Sequence, residues 1–563
     1  MKRLLLFART LVHLRPTQVI ALIRKRALPS RTWVPQIQQL RLRPGVGLSP
    51  CVPHSPWPDE DHSFCFLNQE KTFPSSRIDW ASKDMPKLWR YNLHYFDYLF
   101  HPGRSPDAKI HLISDWIAKN PPGTGDGWEP YTLSLRIVNW IKFFLWNETA
   151  VQEEWVQSLY TQALWLEKNV ESHILANHYL KNGVALFFAG MYFDGADADR
   201  WIRKGRQILR SELDEQFLPD GGHYERSPMY HAICVVDYLD VLNLMGGSES
   251  AMLFEEAGCF THRITQALDF LHDMCLPDGD IPLFNDSAFR VAPLPADILA
   301  YANQICSYTC PLAVNGLTVK EMPHTGYYVL RDGADMMIID CGAVGPDYQP
   351  GHAHADTLSF ELAVNGERVI VDSGVYDYEP GTRRSYARST RAHNTVQIDG
   401  ENQSEVWGVF RVARRAYPLR ASLKSDRAGH AAFEGAHDGY ARLSGKLIHK
   451  RSIDYSSSGE WTVHDTVEGN GMHTVESCLH IHPAYRVDLV GRSAEVRDRM
   501  GQLMLIITPA PNAEVTIEPG WHFPEFGTEL PASTLVMTYR GAVPVTLTYR
   551  MTKTLPTNSR FNN

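Results

Sequence analysis

Three short segments of this chain gather the side chains that move protons, hold metals or meet acidic groups. The densest is Gly351-His-Ala-His-Ala-Asp356, followed by Asp372 and then by Arg391-Ala-His-Asn394. His354, Asp372 and His393 offer two imidazoles and a carboxylate, a donor set suited to Zn²⁺ or another borderline divalent ion. His-x-His is a loose signal in a chain with 24 histidines, and core or solvated histidines are the plain alternative. The second segment, Ala176-Asn-His-Tyr179, sets Asn177 and His178 about 100° apart on a helix, so both can line one cleft. A helix cap beside a buried histidine would look the same. The third, Gly221-Gly-His-Tyr-Glu-Arg-Ser-Pro-Met-Tyr-His231, is too polar for a packing element and suits an ordered binding loop. Trp128-Glu-Pro-Tyr131 with Arg136 adds aromatic and cationic surface for sugar rings, or is an ordinary helix start.

These groups need elements to hold them. From about 88 to 310 apolar residues recur with a helical period, as in 132–146, 155–166, 178–193 and 232–245. Leu-Pro-Asp-Gly occurs at 218–221 and again at 276–279, each after a helical segment. That echo suggests stacked helical hairpins, as in a solenoid or an α/α toroid. After about 320 the period becomes two. Segments starting at Tyr327 and Asp335 read as strands, and 357–372 reads as a hairpin turning on Asn365-Gly366. Alternation continues through 443–455, 460–468, 502–508 and 534–549, predicting an antiparallel β-sandwich. A strict two-residue turn at Asn365-Gly366 would pair Asp372 with Ser359 and not with His354. A site there must close at the strand's frayed end or across a bulge.

The expected architecture is therefore multidomain α+β. Residues 1–75 form a basic helix and an irregular Pro-rich wrap, 76–318 the helical domain and 319–563 the sandwich. At 563 residues and 44% apolar the chain exceeds one ordinary core. A net charge of −9 gives no global field to attract nucleic acid. Nine singly scattered cysteines argue against a disulfide framework and favour a reducing compartment. There is no Walker loop, no GxSxG elbow and no GxGxxG after a strand, which removes the usual nucleotide and serine-hydrolase readings. The N-terminal MKRLLLFARTLVHLRPTQVIALIRKRAL breaks its apolar run at Arg9, His13 and Arg15, so it reads as a basic amphipathic helix and not a secretory signal. Docking on its own domain is the expectation. Peripheral contact with an anionic membrane is the alternative, and a cytoplasmic location in a bacterium is expected ahead of a periplasmic or secreted one.

In this order, Asn177-His178, Tyr224-Glu-Arg-Ser-Pro-Met-Tyr230-His, the His-x-His segment, Asp372 and Arg391-Ala-His-Asn394 resemble the heparinase II/III-like polysaccharide lyases, a family that includes alginate lyases. The resemblance spans most of the chain. It implies an incomplete (α/α) toroid followed by antiparallel sheets, with the cleft between them. It also implies catalytic roles for Asn177, His178, Tyr230 and His352, and a metal held by His354, Asp372 and His393. The metal would be one divalent ion, zinc first and Mn or Ca as alternatives, acting structurally. Substrate-binding candidates are Tyr91, Asn92, His94, Trp128, Glu129, Tyr131, Arg136, Glu225, Arg226, His231 and Arg388. Tyr230 is preferred to Tyr224 as the general acid because its spacing from Asn177 is closer to the family pattern.

The implied partner is an acidic polysaccharide. A lyase cleaves a 4-linked uronate by removing the C5 proton and expelling the C4 oxygen. Asn177 and His178 would steady the enolate-like intermediate, and Tyr230 would protonate the leaving oxygen. The base would be Tyr230, His352 or His178, according to the uronate's C5 configuration. A tyrosine base, with a free pKa near 10, needs a cation, and His231, Arg226 and Arg388 are candidates. A glycosaminoglycan (heparan sulfate, hyaluronan or chondroitin) is expected first, partly from the Arg-rich Arg383-Arg384-Ser-Tyr-Ala-Arg388; alginate or a bacterial exopolysaccharide follows. Two other classes stay open. A toroid glycoside hydrolase would use two of Glu129, Glu225 and Asp286, and a non-catalytic glycan-binding protein would bind without turnover.

Overall fold

A computed structural model describes residues 2–27, 40–52, 62–74, 77–247, 251–312 and 316–554. The Pro-rich stretches at 28–30 and 53–58 lie outside the described residues. Two helices, α1 (Lys2–Leu11) and α2 (Pro16–Ala27), come first, where the sequence suggested one. Pro16 divides them, because it opens a helix comfortably at its first position but cannot continue one. The helical domain holds α3 (Lys87–Tyr95), α4 (Pro106–Lys119), α5 (Pro130–Trp146), α6 (Glu153–Asn169) and α7 (Ala176–Tyr192). It continues through α8 (Ala196–Gln216), α9 (Pro228–Gly246), α10 (Ala251–Met274) and α11 (Pro295–Cys306). Alternate helices pack on one another, α3 on α5, α5 on α7, α7 on α9 and α9 on α11, as in an incomplete (α/α) toroid. Its core contains the fully buried Trp89, Trp116, Trp140, Trp155 and Trp201.

The repeated Leu-Pro-Asp-Gly makes the same turn twice. Gly221 donates its N–H to Leu218, and Gly279 does the same to Leu276, both glycines at φ +86°. Only glycine is comfortable at such an angle, and a Cβ on Gly221 would lie 2.2 Å from the Gln266 carbonyl oxygen. These turns return the chain from α8 and α10 into polar segments that reach the toroid's mouth.

Two antiparallel sheets follow. The larger runs from Glu514–His522 through Leu530–Ala542, Met472–Ile481, Glu367–Ile370, Phe360–Val364, Asp335–Asp340 and Tyr327–Asp332 to Leu317–Met322. The smaller has Pro418–Ser425 and Arg486–Val490 at its edges. Alternate residues of Ile448–Ser456 and Glu460–Glu468 are buried, as a half-solvated strand requires. Asp335–Asp340 differs, being buried throughout. Met337 and Ile339 face the sandwich interior, whereas Met336 and Ile338 pack with Phe270, Met274 and Phe284 of the helical domain. That second face fixes the large sheet against the toroid.

The hairpin resolves the register difficulty with a bulge. Asn365 and Gly366 take positive φ, and Val364 pairs with Glu367 and Ala363 with Arg368, but Leu362 then pairs with Ile370. The strand ends at Ile370, so Asp372 sits beyond the ladder, where its backbone carbonyl accepts a bond from His522.

Candidate active site

A cleft of about 1080 Å³ opens between the toroid and the β-domain, lined among others by Tyr91, Asn92, Tyr131, Asn177, His178, Glu225, Tyr230, His352, Tyr378 and Phe410. The four residues expected to be catalytic all reach it. Asn177 and His178 open α7, whose entry is bent by positive φ at Leu175 and Ala176. Such angles are unfavourable for side chains with a Cβ, and they cluster where function imposes them. Tyr230 is at the third position of α9, where the Ser227 hydroxyl accepts the Tyr230 N–H at 3.2 Å and Pro228 supplies the first helical residue. His352 comes from the irregular segment preceding the Phe360–Val364 strand.

Hydrogen bonds set the orientation of each group. The Asn177 amide donates to both oxygens of Glu225 at 3.1 Å. His178 uses Nδ1 on Glu171 at 3.2 Å and packs on Tyr131 with ring centroids 4.4 Å apart, leaving Nε2 for a ligand. The Tyr230 ring stacks on His352 at 3.9 Å, and its hydroxyl lies 3.2 Å from that of Tyr378. Burial, together with the neighbouring Tyr378, pushes the Tyr230 phenol well above its ordinary range. It is therefore a neutral donor at physiological pH. His352 Nδ1 is 2.9 Å from Asp286 and its Nε2 is 3.9 Å from Glu225.

Asp286 is the hub beneath these groups. It is completely buried and contacts His352, His354 at 2.8 Å and both terminal guanidinium nitrogens of Arg384. Burial would raise its pKa, but Arg384 and the two histidines reverse this and hold the carboxyl well below the usual range. An ionised Asp286 accepts Nδ1–H from His352 and leaves Nε2 as the free acceptor.

A second cluster lies below. His354, Asp356 and His393 are buried, and one ligand atom of each falls within 4.8 Å of the others. His354 Nδ1, Asp356 Oδ2 and His393 Nε2 are buried without a hydrogen-bond partner. Their remaining ring nitrogens are held by carboxylates, His354 Nε2 by Asp286 and His393 Nδ1 by Asp372 at 2.8 Å. Three orphaned polar atoms on two histidines and an aspartate fit a divalent cation, because unsatisfied buried groups are otherwise rare. Carboxylates behind ligating histidines are the usual outer layer of such sites. The carboxylate in the group is thus Asp356, where the sequence pointed to Asp372. Asp372 gives one oxygen to His393 and the other to the Gly374 N–H, so it stands directly behind His393.

Several substrate-binding candidates sit elsewhere. Tyr91, Asn92, Tyr131 and Glu225 line the cleft, and Glu129 is at its rim, bound to Tyr91 and to Lys87 at 3.0 Å. His94 is buried under Trp80 and accepts the Trp116 indole N–H, with burial lowering its pKa to about 3. Trp128 packs between Trp116 and Trp165, and Arg136 is fully buried over the Trp116 ring. Arg226 donates to the Thr325 and His324 carbonyls and so ties the toroid to the β-domain. His231 is buried against Ala267 and Phe270. Arg388 is buried on the Ala353 carbonyl. Of the Arg-rich stretch, Arg384 and Arg388 therefore hold the site together from behind, and only Arg383 is exposed, bound to Glu529. None of the three cations considered for a tyrosine base stands beside Tyr230. Tyr224 is buried against Tyr348, away from the cleft lining.

Sequence reasoning missed Asp286 as an organiser, the grouping of Asp356 with His354 and His393, and Tyr378. Asp356 was visible two residues after His354, whereas nothing local marks Tyr378.

Residues 62–303 match the family described as heparinase II/III N-terminus, and residues 315–557 match heparinase II/III-like, C-terminal. A heparin-sulfate lyase of Pedobacter heparinus is 27% identical over 324 residues, covering 52% of this chain and 48% of the relative. One from Bacteroides thetaiotaomicron is 24% identical over 461 residues, covering 72% and 63% respectively. The chain thus spans about half to under two thirds of these relatives' length. The crystal structure of heparinase III has the same fold, with a TM-score of 0.69 at 21% identity over 85% of this chain and 79% of that one.

Proposed function

The chain belongs to the heparinase II/III-like family, and from that premise we propose that it is a polysaccharide lyase cleaving 4-linked uronates by β-elimination. The observation that carries the reading is the convergence of Asn177, His178, Tyr230 and His352 on one cleft. In this account the uronate carboxylate lies against Asn177 and His178. Glu225 fixes the amide of the first and Glu171 the ring of the second. Donors aimed at the carboxylate stabilise the charge that builds there as the C5 proton leaves. His352 Nε2 takes that proton, the C4–O bond breaks as the C4–C5 double bond forms, and the Tyr230 hydroxyl gives its proton to the leaving oxygen. His352 is preferred to Tyr230 as base because Asp286 stands behind its other nitrogen, whereas burial keeps the tyrosine protonated.

A divalent ion, zinc first and manganese or calcium as alternatives, would be held by His354, Asp356 and His393. When bound, it supplies positive charge that locks the segment bearing His352. The proton transfers belong to the protein's own residues.

A glycosaminoglycan of the heparan sulfate kind is the first substrate to test, since both curated relatives are named for heparin-sulfate. The cleft's charges favour sparse sulfation. Lys142 is paired with Asp240 at 2.5 Å, Lys181 with Asp237 at 2.6 Å, and Arg290 with Glu525 at 3.2 Å. A dense polyanion would find these cations already neutralised. The hydrolase alternative loses support, because Asp286 is sealed beneath His352 and Glu129 is held by Tyr91 and Lys87. The test is a panel of heparan sulfate, unsulfated heparosan, hyaluronan, chondroitin and alginate, read for ultraviolet absorbance of the unsaturated uronate. Cleavage with new absorbance supports elimination. Cleavage without it indicates hydrolysis, and binding without cleavage indicates a carrier of glycans.

A further inference from the structure

The two N-terminal helices are amphipathic in the opposite sense to an ordinary surface helix, which turns its apolar stripe inward. On α1 the apolar positions Leu4, Phe7, Ala8 and Leu11 follow an i, i+3, i+4, i+7 spacing and are exposed, Leu4 at 74%. On α2 Val19, Ile20, Ile23 and Ala27 form a similar stripe, with Ile23 at 61%. The polar faces are the ones that dock. Thr10 accepts the Trp407 indole N–H at 3.0 Å, and Arg9 pairs with Glu405 at 3.0 Å. Gln18 donates to the Tyr348 carbonyl at 3.4 Å, Arg15 lies 3.7 Å over the Tyr348 ring and pairs with Glu215, and Lys25 reaches His173 at 3.0 Å.

Charge identifies what covers the apolar stripes. Residues 2–27 contain seven Lys and Arg and no Asp or Glu, on a chain whose net charge is −9. Arg3 and Arg24 are exposed on the same helices as the stripes. An apolar stripe flanked by cations is complementary to an anionic lipid surface, where the apolar side chains enter the acyl boundary and the cations meet headgroups. We propose that α1 and α2 form an interfacial anchor that docks the protein on anionic membranes. The anchor also orients the enzyme. Gln349 and Ile174, next to the residues that α2 contacts, line the cleft, so docking holds the cleft beside the bilayer.

The test is co-sedimentation of the full chain with vesicles of phosphatidylcholine alone or with phosphatidylglycerol added. Binding is expected only to the anionic vesicles, weakening steeply with salt. The combined variant L4S/F7S/I20S/I23S should not bind. R3E/R24E, which leaves the apolar stripes intact, should bind about tenfold or more weakly. Absence of wild-type binding to anionic vesicles would overturn the proposal, as would equal binding to both compositions. So would concentration-dependent self-association, seen by analytical ultracentrifugation, that the apolar variant abolishes while vesicles capture neither protein. None of these readings depends on catalytic turnover.

Discussion

Replacing Asp286 by Asn isolates the group on which both the candidate base and the candidate metal cluster rest. The carboxylate is fully buried and neutralises Arg384, whose own side chain is 1% exposed, donates otherwise to the Val409 carbonyl and lies over the Tyr378 and Phe410 rings. Removing one partner of such a pair leaves a buried, uncompensated charge, at a cost of about 3–5 kcal/mol. With roughly 2–4 °C per kcal/mol for domains of this size, the melting temperature should fall by about 6–20 °C. Activity should fall further than stability explains. An amide in place of the carboxylate can accept or donate to His352 Nδ1, so the tautomer with a free Nε2 is no longer enforced. The loss expected is that of a misdirected general base, about 10²–10⁴-fold in kcat. The double variant D286N/R384M removes both charges and should recover much of the melting temperature, because replacing a whole buried pair is close to neutral. It should not recover turnover. The assays are thermal unfolding, initial rates of ultraviolet absorbance gain on a cleaved substrate, and metal content of each variant. D286N with wild-type melting and wild-type kcat would refute the assignment of Asp286 as the organiser.

Tyr378→Phe removes the hydroxyl 3.2 Å from that of Tyr230; one net hydrogen bond of about 0.5–1.5 kcal/mol implies a kcat loss of roughly 2- to 12-fold at unchanged fold. Metal analysis of purified protein should give one divalent ion per chain, lost in His393→Ala and Asp356→Ala, and a chelator should lower the melting temperature of wild type but not of those variants. Gly221→Ala forces a Cβ to 2.2 Å from the Gln266 carbonyl at φ +86°. It should destabilise by about 1 kcal/mol or more, measured by denaturant unfolding, and leave the KM of the folded fraction unchanged.

How much of this was legible depended on whether the signal is local. Periodicity located α5, α6, α7 and α9 and the change to strands near 320, because burial of one face is written along each element. The Asn-Gly turn was legible for the same reason, and the bulge that moves Asp372 off the ladder was foreseen only as a necessity. Burial by distant elements was not legible. Arg136, Arg384 and Arg388 look like surface cations in sequence, yet each is enclosed by segments far along the chain, Arg384 by Asp286 across 98 positions. Trp128 is buried likewise; an aromatic beside a cation reads as a sugar platform until the tryptophan core forms around it. Spacing in sequence also did not bring Asp356 forward beside Asp372, although the fold groups Asp356 with His354 and His393 and sets Asp372 behind His393.

The central claim is that Tyr230 delivers the proton to the departing oxygen of a uronate. Its most direct measurement is the rate of unsaturated product formation by Tyr230→Phe beside the binding of the same polysaccharide to the same variant. Phenylalanine keeps the ring that stacks on His352 at 3.9 Å and deletes only the hydroxyl. Binding should survive within a few-fold and the ultraviolet signal should disappear. Unchanged turnover would contradict the claim.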